Sequence, residues 1–135
     1  MAELHPPLGG IHEAALYVSD LERAEKFWRR LGLPLVGRGR GRHAFFRAGS
    51  DLLLVFDPRT TVGSVGVPAH GCVGAGHVAL DVPDGDALQR WRSFLDQAGV
   101  AVEHEQDWPG GGRSLYFRDP DGNSIELVTR GTWVF

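Results

Sequence analysis

Two imidazoles and one carboxylate stand out by type and placement: His12, His77 and Glu126. A set of two histidines and one acidic residue offers nitrogen and oxygen donors suited to Fe(II), Mn(II), Ni(II) or Zn(II) rather than to a thiophilic metal. It also leaves coordination positions open for water, dioxygen or a bidentate substrate. The chemistry of such a centre is Lewis-acid activation of an enolate or alkoxide, or electron transfer between a bound catecholate and oxygen. Each histidine alone has the plainer explanation of a surface residue at a strand end. Glu126 is harder to explain that way, because it interrupts the apolar run Ile125-Glu126-Leu127-Val128, and a buried carboxylate needs a cation or a donor.

The elements that must position these residues are legible from periodicity. Ile11 to Val18 reads as a strand, and Asp20 caps a helix with the apolar stripe Leu21, Ala24, Phe27, Trp28 and Leu31, ended by Gly32 and Pro34. Three short strands follow, around Leu35, from His43 to Ala48 and from Leu52 to Phe56. After a Gly/Pro-rich stretch the same order returns. His77 to Val82 is a strand, and a helix starting near Asp84 or Asp86 carries Leu88, Trp91, Leu95 and Ala98 and stops at Gly99. Strands then run over Val100 to Glu105, Arg113 to Arg118 and Ser124 to Thr129. Arg42-His43-Ala44-Phe45-Phe46-Arg47 aligns without gaps on Arg113-Ser114-Leu115-Tyr116-Phe117-Arg118. The expected fold class is therefore α+β, with two tandem βαβββ modules whose helices pack on one face of the strands. Module one spans about 11–57, the linker about 58–75 and module two about 76–130, all within one domain.

Strand alternation assigns the faces. Val78, Leu80 and Val82 pack under the helix with Leu115, Phe117, Ile125 and Leu127. The opposite face carries His77, Ala79, Asp81, Ser114, Tyr116, Arg118, Ser124, Glu126 and Val128. By the repeat relation, His12, Ala14 and Leu16 are expected on the matching face of the first strand.

Composition bounds the partners. At 135 residues, 42% hydrophobic, 23% charged and with a formal net charge of -3, the chain has one real core and no general attraction for phosphate backbones or acidic membranes. Neither nucleic acid nor membrane is expected as a partner. The single cysteine, Cys72, can form no internal disulfide and no thiolate-rich zinc site. That fits a reducing cytoplasm, and no apolar run reaches the ~20 residues of a bilayer span.

The segments GHVALDV and YFRDPDGNSIEL, with the doubled βαβββ order, resemble the vicinal oxygen chelate superfamily of glyoxalases, bleomycin resistance proteins and extradiol dioxygenases. The resemblance implies two tandem βαβββ modules forming a cupped mixed sheet with helices outside, whose metal ligands sit on the first and last strands of each module and face the cup, with His43 also turned toward it. His12, His77 and Glu126 fall at three such positions and Leu54 at the fourth. Since leucine cannot coordinate, the implied pattern is the three-ligand one of extradiol dioxygenases and fosfomycin-modifying enzymes. The implied activity is that of a divalent-metal-dependent dioxygenase, lyase or thiol transferase, acting on a small substrate that chelates through adjacent oxygens. The alternative is a non-catalytic protein that sequesters a drug or metabolite. Tyr116 and His43 are the candidate catalytic residues, as hydrogen-bond donor and base. Arg113 and Arg118 are weaker candidates for an anion clamp, and His70 and His104 read as surface residues. Trp108 before the glycines of the 109–112 loop reads as the tip of a hairpin connection or lid. Uncovered sheet edges point to a homodimer, in which strand exchange would let His12 of one subunit meet His77 and Glu126 of the other.

Overall fold

The computed structural model describes Pro6 and residues 11–72 and 74–133. Its first module runs β1 (Glu13–Tyr17), α1 (Leu21–Arg30), β2 (Leu35–Gly39), β3 (His43–Ala48) and β4 (Asp51–Phe56). A short helix α2 (Pro58–Thr61) follows. The second module then runs β5 (His77–Val82), α3 (Gly85–Gln97), β6 (His104–Asp107), β7 (Arg113–Arg118) and β8 (Ser124–Thr129). The doubled βαβββ order is as expected, with the strands divided between two four-stranded mixed sheets, β1-β4-β3-β2 and β5-β8-β7-β6. In each, the first strand pairs in parallel with the last and the remaining neighbours are antiparallel. No helix among the described residues is long and apolar enough to cross a membrane.

Local sequence accounts for the helix ends. The Asp20 carboxylate accepts from the Arg23 amide at 3.0 Å and the Asp84 carboxylate from the Ala87 amide at 2.8 Å, each satisfying an orphan donor of a first turn. Helix α2 lies inside the stretch read only as a linker. Its signal is Asp57-Pro58, a capping carboxylate before a proline whose missing N–H costs nothing at the first helical position. Strand β6 starts four residues later than expected. The Val100 amide closes α3 by donating to the Leu95 carbonyl, and ladder pairing begins only where the Glu103 amide reaches the Tyr116 carbonyl at 2.7 Å.

Each helix packs on its own sheet, and the buried faces merge into one core that includes Leu16, Val18, Trp28, Phe46, Leu95, Phe117, Ile125 and Leu127. Phe27 of α1 approaches Phe117 of β7, with ring centroids 6.3 Å apart, so apolar contact crosses between the modules.

A polar clamp crosses as well. Asp119-Pro120-Asp121-Gly122 turns β7 into β8, with Gly122 at φ +81°, a value that favours glycine. The next residue, Asn123, is 1% exposed. Its Oδ1 accepts from the Gly76 amide at 2.7 Å, and its Nδ2 donates to Asp119 Oδ2 at 2.9 Å and to the Tyr17 carbonyl at 3.3 Å. Asp121 in turn accepts from both the amide (2.9 Å) and the hydroxyl (2.6 Å) of Ser19. Burial pushes the Asp119 carboxyl above the usual range against hydrogen bonds from Asn123 and Asp121 that pull it down. Replacing Asn123 by Ala orphans the part-buried Gly76 amide and a buried Asp119 oxygen, so we expect a loss of about 3 kcal/mol in urea unfolding. A loss below about 1 kcal/mol would show that water replaces the carboxamide without cost.

Candidate metal centre

The registers lay the second module's residues out in rows. Ala79, Glu126, Tyr116 and His104 are cross-strand neighbours on β5, β8, β7 and β6, and His77 precedes Ala79 by two on the same strand. Val82 is buried and His77, Ala79 and Asp81 are exposed, so the row lies on the face that no helix covers. Glu126 is only 5% exposed there. Its Oε2 accepts the Ser114 hydroxyl at 2.6 Å, and its Oε1 stands 3.4 Å from His77 Nε2. His77 Nδ1 lies 3.0 Å from the Ser124 carbonyl, which can only accept. The proton of a neutral ring is therefore on Nδ1, and the Nε2 lone pair faces the carboxylate.

That arrangement fits a cation. Two lone-pair donors facing each other need a proton or a metal between them. A first-row ion with nitrogen and oxygen donors at about 2.0–2.2 Å holds neighbouring donors about 3.0–3.5 Å apart. The 3.4 Å gap falls in that range. The carbonyl behind the imidazole and the hydroxyl behind the carboxylate are the outer hydrogen bonds typical of metal-ligating side chains. Among the described residues no group of three or more His, Cys, Asp and Glu converges as a complete ligand set.

Tyr116 joins this pair. Its ring lies nearly parallel to that of His77, with centroids 6.5 Å apart. Burial, and then the charge of Glu126, raise its phenol above the ordinary value, so it stays a hydrogen-bond donor.

His12 and His43 lie elsewhere. In β1 the buried residue is Leu16, followed by Val18, and by alternation His12 and Ala14 belong to that core-facing row. The expected matching of His12 with His77 is thus displaced by one. Ala15 pairs with Leu54 as Ala79 pairs with Glu126, which makes Glu13 the counterpart of His77. His12 itself is exposed just before the strand.

His43 is on the uncovered face of the first sheet, within an aromatic cluster. It stacks on Phe45 at 4.2 Å, Phe56 meets His70 at 4.7 Å, and the Tyr17 hydroxyl lies 2.6 Å from His70 Nδ1. A Cβ at Gly39 would collide with the His43 ring, so the cluster depends on that glycine. Among the described residues no hydrogen bond, ion pair or ring contact joins His43 to His77, Tyr116 or Glu126.

Three further residues neighbour the centre without a clear signal in the sequence. Ser114 holds the carboxylate, and Trp108, read as a loop tip, turns its indole N–H inward to Ser114 Oγ at 2.9 Å. His104 lies beside Tyr116 with ring centroids 5.8 Å apart. Away from the centre, in the cluster around His43, His70 is tied to Tyr17 rather than being a loose surface residue. The gap-free alignment of Ser114 on His43 was the available signal for the first of these. Arg113 and Arg118 are each engaged, with Asp107 and with Glu103, both at 2.9 Å.

Two tandem βαβββ modules, each a mixed four-stranded sheet with its helix on one face, define the vicinal oxygen chelate class. Within it, the chain belongs to the Glyoxalase/Bleomycin resistance protein/Dioxygenase superfamily, whose family model matches residues 10–127. It is similar to the lactoylglutathione lyase of Agrobacterium tumefaciens, at 37% identity and a TM-score of 0.91, over 96% of this chain and 100% of that one. It is also similar to the catechol-2,3-dioxygenase of Bacillus subtilis (strain 168), at 27% identity over 124 residues. That match covers 89% of this chain but spans only 42% of the relative's length. A glyoxalase/bleomycin resistance protein/dioxygenase from Nocardioides, 24% identical with a TM-score of 0.74 over 95% of this chain and 89% of that one, shares the fold.

The aromatic cluster yields a pH prediction. Burial, and then the Arg42 charge, lower the His43 pKa from 6.5, and Arg42 Nη1, which can only donate, lies 3.0 Å from His43 Nδ1. The fold favours the neutral ring, so its contribution is fully present above 6.5 and is lost as pH falls through the lowered value. Stability measured between about pH 7 and pH 5 should therefore fall less steeply in His43→Gln than in the wild type. Equal slopes would remove His43 as a source of acid sensitivity.

Proposed function

We propose that the protein is a divalent-metal-dependent enzyme whose small substrate chelates the metal through adjacent oxygens. The observation that carries this reading is the buried Glu126, with one oxygen 3.4 Å across from Nε2 of His77. In this reading His77 Nε2 and Glu126 Oε1 hold the ion, which when bound supplies Lewis acidity toward a substrate oxygen. Tyr116, kept protonated, donates a hydrogen bond to substrate on the same face. The full-length likeness to a lyase puts thiol hemiacetals first among substrates. Leu54, the residue matching Glu126 in the first module, sets this chain apart from a four-ligand centre.

The reading also supposes a homodimer. Module two supplies only two converging donors, and its open face is unprotected, with the His77 side chain 51% exposed. A second copy would complete the centre from the start of its β1, where His12 and Glu13 are adjacent and the register favours Glu13 on the open face. The aromatic cluster around His43 would then wall the pocket from the other side.

Elemental analysis after reconstitution with Fe(II), Mn(II), Ni(II) or Zn(II) tests the centre. Wild-type protein should retain metal, while His77→Ala and Glu126→Gln, folded by circular dichroism, should fall to background. Equal retention in all three, or none in the wild type, defeats the proposal. Turnover of thiol hemiacetals, catechols or fosfomycin should vanish on demetallation, and undiminished turnover would sink the mechanism. For the third donor, Glu13→Gln should weaken metal binding more than His12→Ala. The opposite order would return the role to His12.

A further inference from the structure

The two oxygens of Glu126 have different surroundings. Oε1 faces His77 Nε2 at 3.4 Å, whereas Oε2 is held by the Ser114 hydroxyl at 2.6 Å. Ser114 is itself 2% exposed, and its oxygen accepts the indole N–H of Trp108 at 2.9 Å. An indole nitrogen can only donate. With a serine lone pair so engaged, the hydroxyl hydrogen is directed at the carboxylate, and each bond of the chain polarises the next. The indole is fixed in turn: its ring meets that of Trp133 edge-on, with centroids 4.6 Å apart. The Trp108 amide donates to the Gly112 carbonyl at 2.8 Å, and the Gly111 amide to the Trp108 carbonyl at 2.9 Å. The loop between β6 and β7 thereby presents a fixed donor to the back of the centre.

The geometry points to Trp108 and Ser114 as positioning residues that tie down Oε2, so that Glu126 serves as a one-oxygen ligand. A carboxylate free to rotate can bind an ion through both oxygens and occupy a second coordination position. Tying one oxygen reserves that position for the second oxygen of a chelating substrate. This inference rests on the metal reading above and adds which atom of Glu126 binds and what enforces it.

Cobalt(II) is the probe, because its visible spectrum responds to coordination number, and acetohydroxamate is a test chelator with two adjacent oxygens. Wild type, Ser114→Ala, Ser114→Thr, Trp108→Phe and Glu126→Gln are titrated with Co(II) and then with acetohydroxamate, with thermal melts to confirm folding. Ser114→Ala should change the Co(II) spectrum and weaken acetohydroxamate binding about tenfold. Trp108→Phe, which keeps an aromatic ring against Trp133, should move both in the same direction by less, and Ser114→Thr should restore the wild-type values. If Glu126→Gln loses Co(II) while Ser114→Ala and Trp108→Phe keep the wild-type spectrum and chelator affinity within twofold, the positioning role is overturned and the metal reading stands. If wild type takes up no Co(II), or Glu126→Gln takes up as much, the metal reading fails and the positioning role with it.

Discussion

The buried carboxamide of Asn123 is the interaction on which the rest of this structure depends. Its oxygen anchors the amide of Gly76, the residue before His77, while Asn123 itself directly precedes Ser124 on the neighbouring strand. The Ser124 amide returns a bond to the Gly76 carbonyl at 2.9 Å. These contacts set the parallel register of β5 against β8, and a slip of one residue there would turn His77 or Glu126 into the core. The same carboxamide reaches the Tyr17 carbonyl, so the register of the second module is locked to the first. A side chain with two donors and one acceptor carbonyl is suited to this position, because its partners are two backbone groups and the buried Asp119 carboxylate.

The two modules share a backbone plan and differ in what they display. At matching positions the second sheet carries His77, Glu126, Tyr116 and Ser114, and the first carries Glu13, Leu54, Phe45 and His43. A duplicated fold thus presents one face built around a carboxylate and its donors, and another built of rings packed over glycine. The rings need only shape and apolar contact, whereas a buried carboxylate demands specific partners. This difference explains why the second face carries a connected hydrogen-bond chain and the first is held by aromatic stacking.

Much of the fold was readable because its signals are local. Asp20 and Asp84 cap helices, the stripe Ala24-Phe27-Trp28 follows helical spacing, and the turn before Asn123 has proline and glycine where turn geometry needs them. The pair His77 and Glu126 followed from alternation within well-marked strands. Matching histidine to histidine places His12 one residue off the observed register. Aligning Ala15-Leu16-Tyr17-Val18 with Ala79-Leu80-Asp81-Val82 places Glu13 opposite His77, in agreement with the observed register. The inward turn of Trp108 and the tie between Tyr17 and His70 arise from loops meeting strands across long separations, and no periodicity encodes them.

The pairing of each module's first strand with its last carries a consequence for how the molecule assembles. His77 and its carbonyl partner Ser124 are 47 residues apart, so the imidazole meets the carboxylate only after α3 and the β6–β8 meander are in place. Closing so long a loop draws on chain entropy that distant contacts repay late, which slows folding relative to a chain of local contacts. The nascent second module therefore has no preformed nest for an ion. An ion held as proposed by His77 and Glu126 would bind only after this folding, so the fold has to form without it.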